Sequence, residues 1–318
     1  MSRRLVHRAA VAEVFVTDAM VLSEDHFLVG SQWPRDHALY HPDTHRRSDP
    51  LLFSETIRQA LVYLAHWHYG VPLTHRFVGY DMDFEITDPG ALCVGGLPMP
   101  VEMEARWQWT DRRPPRRYGA RIEVALSVGG RSCGRGSLRV VALDERSYRI
   151  IRGRVGRAES TVAEEPRRCV EPGRVGRLRN KDSVLEPGPT AGEWLLRPDP
   201  DHAILFDHPT DHLPLMVLLE GFRQLGHLTT HPAAPRPGGP AFTLVSAAVD
   251  CLAFGELDLP TRLAVLEDET AGEERAGRRL RLDALQGDTL IASCASVWAP
   301  VRLATAGERP VGLPVPCA

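Results

Sequence analysis

The chain runs to 318 residues with 43% hydrophobic content, which fits two domains of ordinary size, each with its own core. A formal net charge of −3 gives no global signature of nucleic acid or of a membrane surface, so any charged partner must be met locally. No window approaches the roughly 18 uninterrupted apolar residues of a membrane span, and Arg8, Glu13 and Asp18 break up the opening segment before a signal-peptide core can form, which predicts a cytoplasmic protein.

In chain order, a loop rich in His, Pro and Asp leads to Leu51–Tyr69. This segment is apolar almost all round and bounded by Pro50 and Gly70, which predicts a buried helix. Strands are expected at Phe77–Ile86, Val101–Thr110, Arg121–Val128 and Gly136–Leu143, with Gly129-Gly130 as the hairpin turn between the last two. Arg112, Arg113, Arg116 and Arg117 surround Pro114-Pro115 in a loop. Most such runs are solvated surface, and the functional alternative is docking of an acidic acyl carrier protein. Residues 152–172 read as a linker between a domain at 1–151 and another at 173–318. Asp182-Ser183-Val184-Leu185 then echoes Asp18-Ala19-Met20-Val21-Leu22 as the start of a second copy. A second His/Pro/Asp loop leads to a helix over Leu213–His227. The last strands are expected at Phe242–Phe254, Thr261–Leu266, Arg278–Leu285 and Thr289–Ala299, with a turn at Gln286-Gly287-Asp288.

Glu55-Thr56-Ile57-Arg58-Gln59 returns as Glu220-Gly221-Phe222-Arg223-Gln224. The same spacing of 165 residues carries Asp36-His37-Ala38 onto Asp201-His202-Ala203 and Phe77 onto Phe242. The chain therefore contains two copies of one unit. One central helix followed by a run of antiparallel strands requires the sheet to curl around the helix, which is the hotdog fold. Pairing the strand edges of the two copies makes a pseudo-dimer within one chain. The expected class is α+β, a tandem hotdog; whether whole chains pair further into a homodimer stays open.

Positions i, i+3 and i+4 share a helix face, so Glu55, Arg58 and Gln59 form a polar stripe on an apolar cylinder, as do Glu220, Arg223 and Gln224. Such a stripe serves either as a buried ion pair that anchors the helix or as binding and catalytic machinery. His37, His41 and His45 fall four apart, but Pro42 breaks the helix that would align them and no carboxylate completes a ligand set, so no metal is expected. The six cysteines form no C-x-x-C pair, and nucleotide-binding and nucleophile-elbow motifs are missing from any strand-to-helix context, so no cofactor is expected. A basic-aromatic platform for nucleic acid is also missing.

Asp207-His208-Pro209-Thr210-Asp211-His212 leads straight into the helix of Glu220. It resembles the His-Pro loop and helix acid of β-hydroxyacyl-ACP dehydratases, hotdog proteins in which the histidine of one protomer faces the acid of the other. That resemblance places His208 or His212 near Glu55, and the His37 loop near Glu220. Together with Val6-His7-Arg8-Ala9, Gln32-Trp33-Pro34-Arg35-Asp36-His37 and Asp49-Pro50-Leu51-Leu52, these motifs resemble the A-factor biosynthesis hotdog-repeat family of bacterial autoregulator synthases over nearly the whole chain. Leu215 is a departure, since related loops often carry glycine after the proline.

The family resemblance implies transfer of a β-ketoacyl group, held as a thioester on acyl carrier protein, to the hydroxyl of dihydroxyacetone phosphate. The ester would then cyclise toward a butenolide or furan signalling molecule. The residue chemistry suits this activity, with Glu220 or Glu55 as general base and Arg223 and Arg58 for the phosphate or the developing oxyanion. Gln59 and Gln224 would orient the thioester carbonyl, with His37, His208 and His212 lining the substrate site. Two other readings stay open: a hotdog dehydratase or thioesterase that needs only histidine, acid and water, and a non-catalytic acyl-ligand binding protein. Acyl length, the lactone or furan product, and which half is active also stay open.

Overall fold

The computed structural model describes residues 1–153, 167–190, 192–231, 241–270 and 277–301. The linker expected at 152–172 lies mostly outside them. Helix α1 (Leu51–Trp67) has every residue buried except Arg58 and Trp67. A cylinder apolar on all sides needs cover on all sides. The first unit provides it with strands β1 (Val16–Ser23), β2 (His26–Trp33), β3 (Arg76–Ile86), β4 (Met99–Arg113), β5 (Arg117–Val128) and β6 (Arg131–Leu143). Of these, α1 packs on β1, β2, β3, β5 and β6.

A short helix α2 (Glu145–Gly153) follows. The second unit then repeats the plan with β7 (Leu185–Pro187), β8 (Trp194–Leu196), α3 (Leu215–Thr230), β9 (Phe242–Cys251), β10 (Thr261–Thr270), β11 (Arg278–Gln286) and β12 (Thr289–Pro300). Among the described residues, twelve strands form one sheet in the order β1-β2-β4-β5-β6-β3-β9-β12-β11-β10-β8-β7, the same six-strand order met from both edges. The units join where β3 pairs antiparallel with β9. Asp83 lies opposite Ala248, its own counterpart 165 residues on, so the pseudo-twofold passes through that pair. This is the expected tandem hotdog, with each unit's inner strand edge satisfied by the other.

Three local details differ from expectation. Leu213 precedes a proline, which disfavours helical backbone, and its N–H is held by the Gly255 carbonyl at 2.8 Å. Helix α3 therefore starts at Leu215 and runs to Thr230, where the Thr229 and Thr230 hydroxyls donate back to the Leu225 and Gly226 carbonyls. Leu215 itself leans over Gly79 of β3. The outer strands β1, β2, β7 and β8 were not expected as strands. The β4–β5 hairpin carries the arginine run at its tip, where Arg113 and Arg117 flank Asp111 at 3.0 and 2.6 Å and Arg112 lies over the Trp109 ring. Among the described residues, no helix is long and apolar enough to cross a membrane.

Candidate functional site

Each helix stripe sits at the centre of a buried polar cluster, and each cluster takes a second arginine from the arm before the outer strands. In the first unit, Glu55 Oε1 accepts from Arg8 Nε, Arg58 Nη2 and Gln59 Nε2 at 2.9, 2.7 and 2.7 Å. Its Oε2 meets Arg8 Nη2 at 2.6 Å and Arg58 Nε at 2.9 Å. Five N–H groups exceed the roughly four lone-pair positions a carboxylate offers. Burial alone would raise the Glu55 pKa, but Arg58 and Arg8 with their hydrogen bonds outweigh it and hold it at about 2.

In the second unit, Arg177 is the counterpart of Arg8. It is 2% exposed and forks onto Glu220 with Nε at 2.7 Å and Nη2 at 2.5 Å, while Nη1 reaches Asp49 Oδ2 at 2.7 Å. Arg223 turns away from Glu220 and donates to the carbonyls of Val175 and Gly176 at 2.6 and 3.1 Å. Its nearest carboxylate contact is Asp49 at 3.5 Å. Burial, and then the neighbouring Arg177 charge, lower the Arg223 pKa. Asp49 is held at about 2 because Arg177, Arg223 and the Leu51 N–H outweigh the opposing effect of burial. The clusters are cross-braced: Asp49 of the first unit serves Arg177, and Asp207 of the second faces Arg8 at 4.0 Å while capping the Ala9 and Ala10 N–H groups.

The two glutamines are anchored alike. Gln59 donates to the Glu13 carbonyl and accepts from Phe15 N–H; Gln224 donates to the Asp182 carbonyl and accepts from Val184 N–H. Asp182 therefore corresponds to Glu13, not to Asp18 as the echo in sequence suggested. The arms repeat at 169 residues and the helices at 165. The hairpin from β1 to β2 spans more chain than its counterpart from β7 to β8, which accounts for the difference.

The sequence-predicted histidines scatter. His37 is a structural brace, with Nδ1 accepting from the Leu39 and Tyr40 N–H groups and Nε2 3.2 Å from Glu13. His208 stands beside the Glu55 cluster, where burial and then Arg58 and Arg8 lower its pKa. His212 is bound elsewhere, to Asp211 at 2.9 Å and Tyr148 at 3.2 Å. Arg8, Arg177, Asp49 and Asp207 had been given no role, and the signal for the arginines was Val6-His7-Arg8 against Val175-Gly176-Arg177.

That pair of arms also breaks the symmetry. His7 and Gly176 both adopt left-handed backbone, at φ 50 and 66°. In the first unit the His7 ring fills the space above the helix: it faces His66 Nε2 at 2.8 Å and meets Phe77 edge-on. Burial, then His66 and Arg58, lower the His7 pKa to about 3. In the second unit Gly176 places no side chain there, and a cavity of about 840 Å³ opens between the arm and α3, over Arg177, Arg223, His227 and His231, and the first-unit loop at residues 35–50. Its polar wall carries Arg35, Arg46, Arg47, Arg177 and Arg223 against Asp36, Asp43 and Asp49, an excess of positive charge. Its other wall is apolar, with Phe242, Leu244 and Trp298.

Comparison with known proteins agrees with this architecture. The model of the A-factor biosynthesis hotdog domain matches residues 1–144 and again 158–302. A 2-oxo-3-(phosphooxy)propyl 3-oxoalkanoate synthase of Streptomyces virginiae is 34% identical over 92% of this chain and 95% of its own length. The synthase of the same description from Streptomyces coelicolor is 33% identical over 75% of this chain and 76% of its own. Among solved structures, the 12:0-ACP thioesterase from Umbellularia californica superposes with a TM-score of 0.50, covering 86% of this chain and 94% of that one. At 11% identity it shows the shared fold alone. A family model that matches both units, and relatives alike over most of their length, make the chain a member of the A-factor biosynthesis hotdog family.

Proposed function

We propose that this protein transfers a β-ketoacyl group from a thioester to the hydroxyl of dihydroxyacetone phosphate, giving the phosphorylated ester from which a butenolide or furan signal is made. The observation that carries the reading is the cavity between α3 and the first-unit loop, which combines an arginine-rich wall with an apolar one. A phosphate-bearing acceptor suits the first and an acyl chain the second. The relatives' description names both halves of that product, a phosphooxypropyl unit and a 3-oxoalkanoate.

In this reading Arg223 and Arg177 hold the phosphate and the developing oxyanion, and Asp49 and Glu220 fix the direction of the arginine forks. Gln224 ties the arm to the helix and keeps Arg177 in register. Glu55, saturated by five donors, anchors Arg8 and Arg58 and does not take a proton. The acyl group arrives on acyl carrier protein or a related thioester, with the basic hairpin tip of residues 112–117 as its docking surface. Incubating the protein with a β-ketoacyl thioester and dihydroxyacetone phosphate should give a phosphorylated ester detectable by mass spectrometry. Release of free β-keto acid at a rate indifferent to dihydroxyacetone phosphate would instead favour a thioesterase.

A further inference from the structure

The polar stripe of α3 does not end at Gln224. Glu220, Arg223, Gln224 and His227 occupy positions i, i+3, i+4 and i+7 of one helix face. On α1 the residue matching His227 is Val62, just as the residue matching Gly176 is His7. An imidazole on the helix at this position thus occurs only in the unit whose pocket is open.

The surroundings of this ring fix its orientation and leave its nitrogens free. His231 stacks on it at 4.0 Å with planes 16° apart. His231 is itself committed: its Nε2 accepts from Phe242 N–H at 3.1 Å, and its Nδ1 faces the His227 carbonyl at 3.1 Å. His227 lines the cavity beside Arg223 and Gly176, and neither of its ring nitrogens has a hydrogen-bond partner among the described residues. The two helix glutamates offer no competing base, since Glu55 is saturated and Glu220 holds Arg177 and Gln224; of the cavity's aspartates, Asp49 is held by Arg177 and the Leu51 N–H, and Asp43 accepts from the His45 and Arg47 N–H groups. Burial, and then Arg223, lower the His227 pKa to about 2 and keep the ring neutral. A phosphate dianion on the same guanidinium groups opposes their part of that shift and favours proton uptake by the ring.

We propose that His227 is the general base of acyl transfer. This rests on the functional reading above. The acceptor hydroxyl oxygen forms a C–O bond to the thioester carbonyl carbon while its proton passes to a free ring nitrogen of His227. The C–S bond then breaks, sulfur leaves with the electron pair, and the imidazolium returns the proton to that thiolate.

The test measures thiol release from a β-ketoacyl pantetheine thioester against pH, with and without dihydroxyacetone phosphate. It uses the full chain, His227→Val and His227→Gln, with thermal denaturation of each. Valine is the residue α1 carries at this position, so the helix tolerates it, and glutamine keeps a polar group of similar reach. The expected result is a loss in kcat of about 10²–10⁴-fold with little change in KM for dihydroxyacetone phosphate. The acid limb of the wild-type pH profile should disappear in both variants. Either folded variant keeping wild-type kcat, or keeping the acid limb, overturns the assignment. Wild-type thiol release that ignores dihydroxyacetone phosphate contradicts the proposed acceptor alone; the same variants then still judge His227, with water as the hydroxyl donor. No thiol release from the wild type under either condition overturns both.

Discussion

Gly176→His puts into the open pocket the ring that closes the other one. The backbone there has φ 66°, a conformation that costs an ordinary residue about 1–2 kcal/mol, yet His7 adopts its equivalent at φ 50° within the same fold. The larger effect is steric. A Cβ on Gly176 would lie 2.9 Å from Arg223 Nη1 and 2.9 Å from His227 Cε1, so the Arg223 side chain must leave its bonds to the Val175 and Gly176 carbonyls. An Arg223 moved out of place also loses the charge-assisted hydrogen bond assigned to it on the phosphate, and about 1.5–3 kcal/mol for that bond corresponds to roughly 10- to 150-fold in kcat/KM, before the displaced substrate volume is counted. Initial rates across dihydroxyacetone phosphate concentrations give the effect, and a melting curve shows whether the variant is folded. A folded Gly176→His protein with wild-type kcat/KM would refute the claim that this pocket is where catalysis occurs. The reciprocal change, His7→Gly, should leave the rate intact while lowering the melting temperature.

Arg223→Gln should raise KM for dihydroxyacetone phosphate by roughly 10- to 150-fold for loss of one charged hydrogen bond, with a lower melting temperature because the Val175 and Gly176 carbonyls lose their donor. An unchanged KM would remove Arg223 from phosphate recognition. Glu55→Gln leaves Arg8 and Arg58 without their buried counter-charge and should destabilise the fold by about 3–5 kcal/mol, read by denaturant titration; a normally stable variant with abolished turnover would make Glu55 a catalytic group instead. Stability should also fall steadily from pH 7 to pH 4. Burial, then His66, holds His7 at about 3, and burial, then Arg223, holds His227 at about 2, against 6.5 in the unfolded chain, so the unfolded state takes those protons first. Burial opposes, but the arginines outweigh it to hold Glu55 and Asp49 at about 2; their contribution is full above the usual carboxylate range and fades as the pH falls through it toward 2. A melting temperature that rises on acidification would contradict both.

The parts of the fold that a strong period encodes were legible. An apolar segment closed by Pro50 and Gly70 became α1, and the Val-rich runs became the inner strands. Of the outer strands, β7 and β8 were hidden because they hold three residues each and β1 because it is mostly exposed, so none of these three shows a clean alternation, while β2 does alternate and was passed over. The glutamate, arginine and glutamine of each helix were found because they repeat at a fixed spacing. Arg177 escaped because the arms repeat four residues out of step with the helices, and Asp49 because it acts on the opposite unit. Which unit opens depended on a single pair, His7 and Gly176, whose left-handed backbone is a property of the folded arm. His227 has no counterpart on α1, so a search for repeats passes over it, although asymmetry between copies is where one active pocket should show itself.

In the proposed reaction a β-ketoacyl thioester meets dihydroxyacetone phosphate in the cavity between α3 and the first-unit loop. The most direct measurement is mass spectrometry of the products formed by the full chain and by Gly176→His from those two substrates. The wild type should give the phosphorylated β-ketoacyl ester, and the folded variant should lose it almost completely. Equal yields of that ester from both proteins, or none from the wild type, would contradict it.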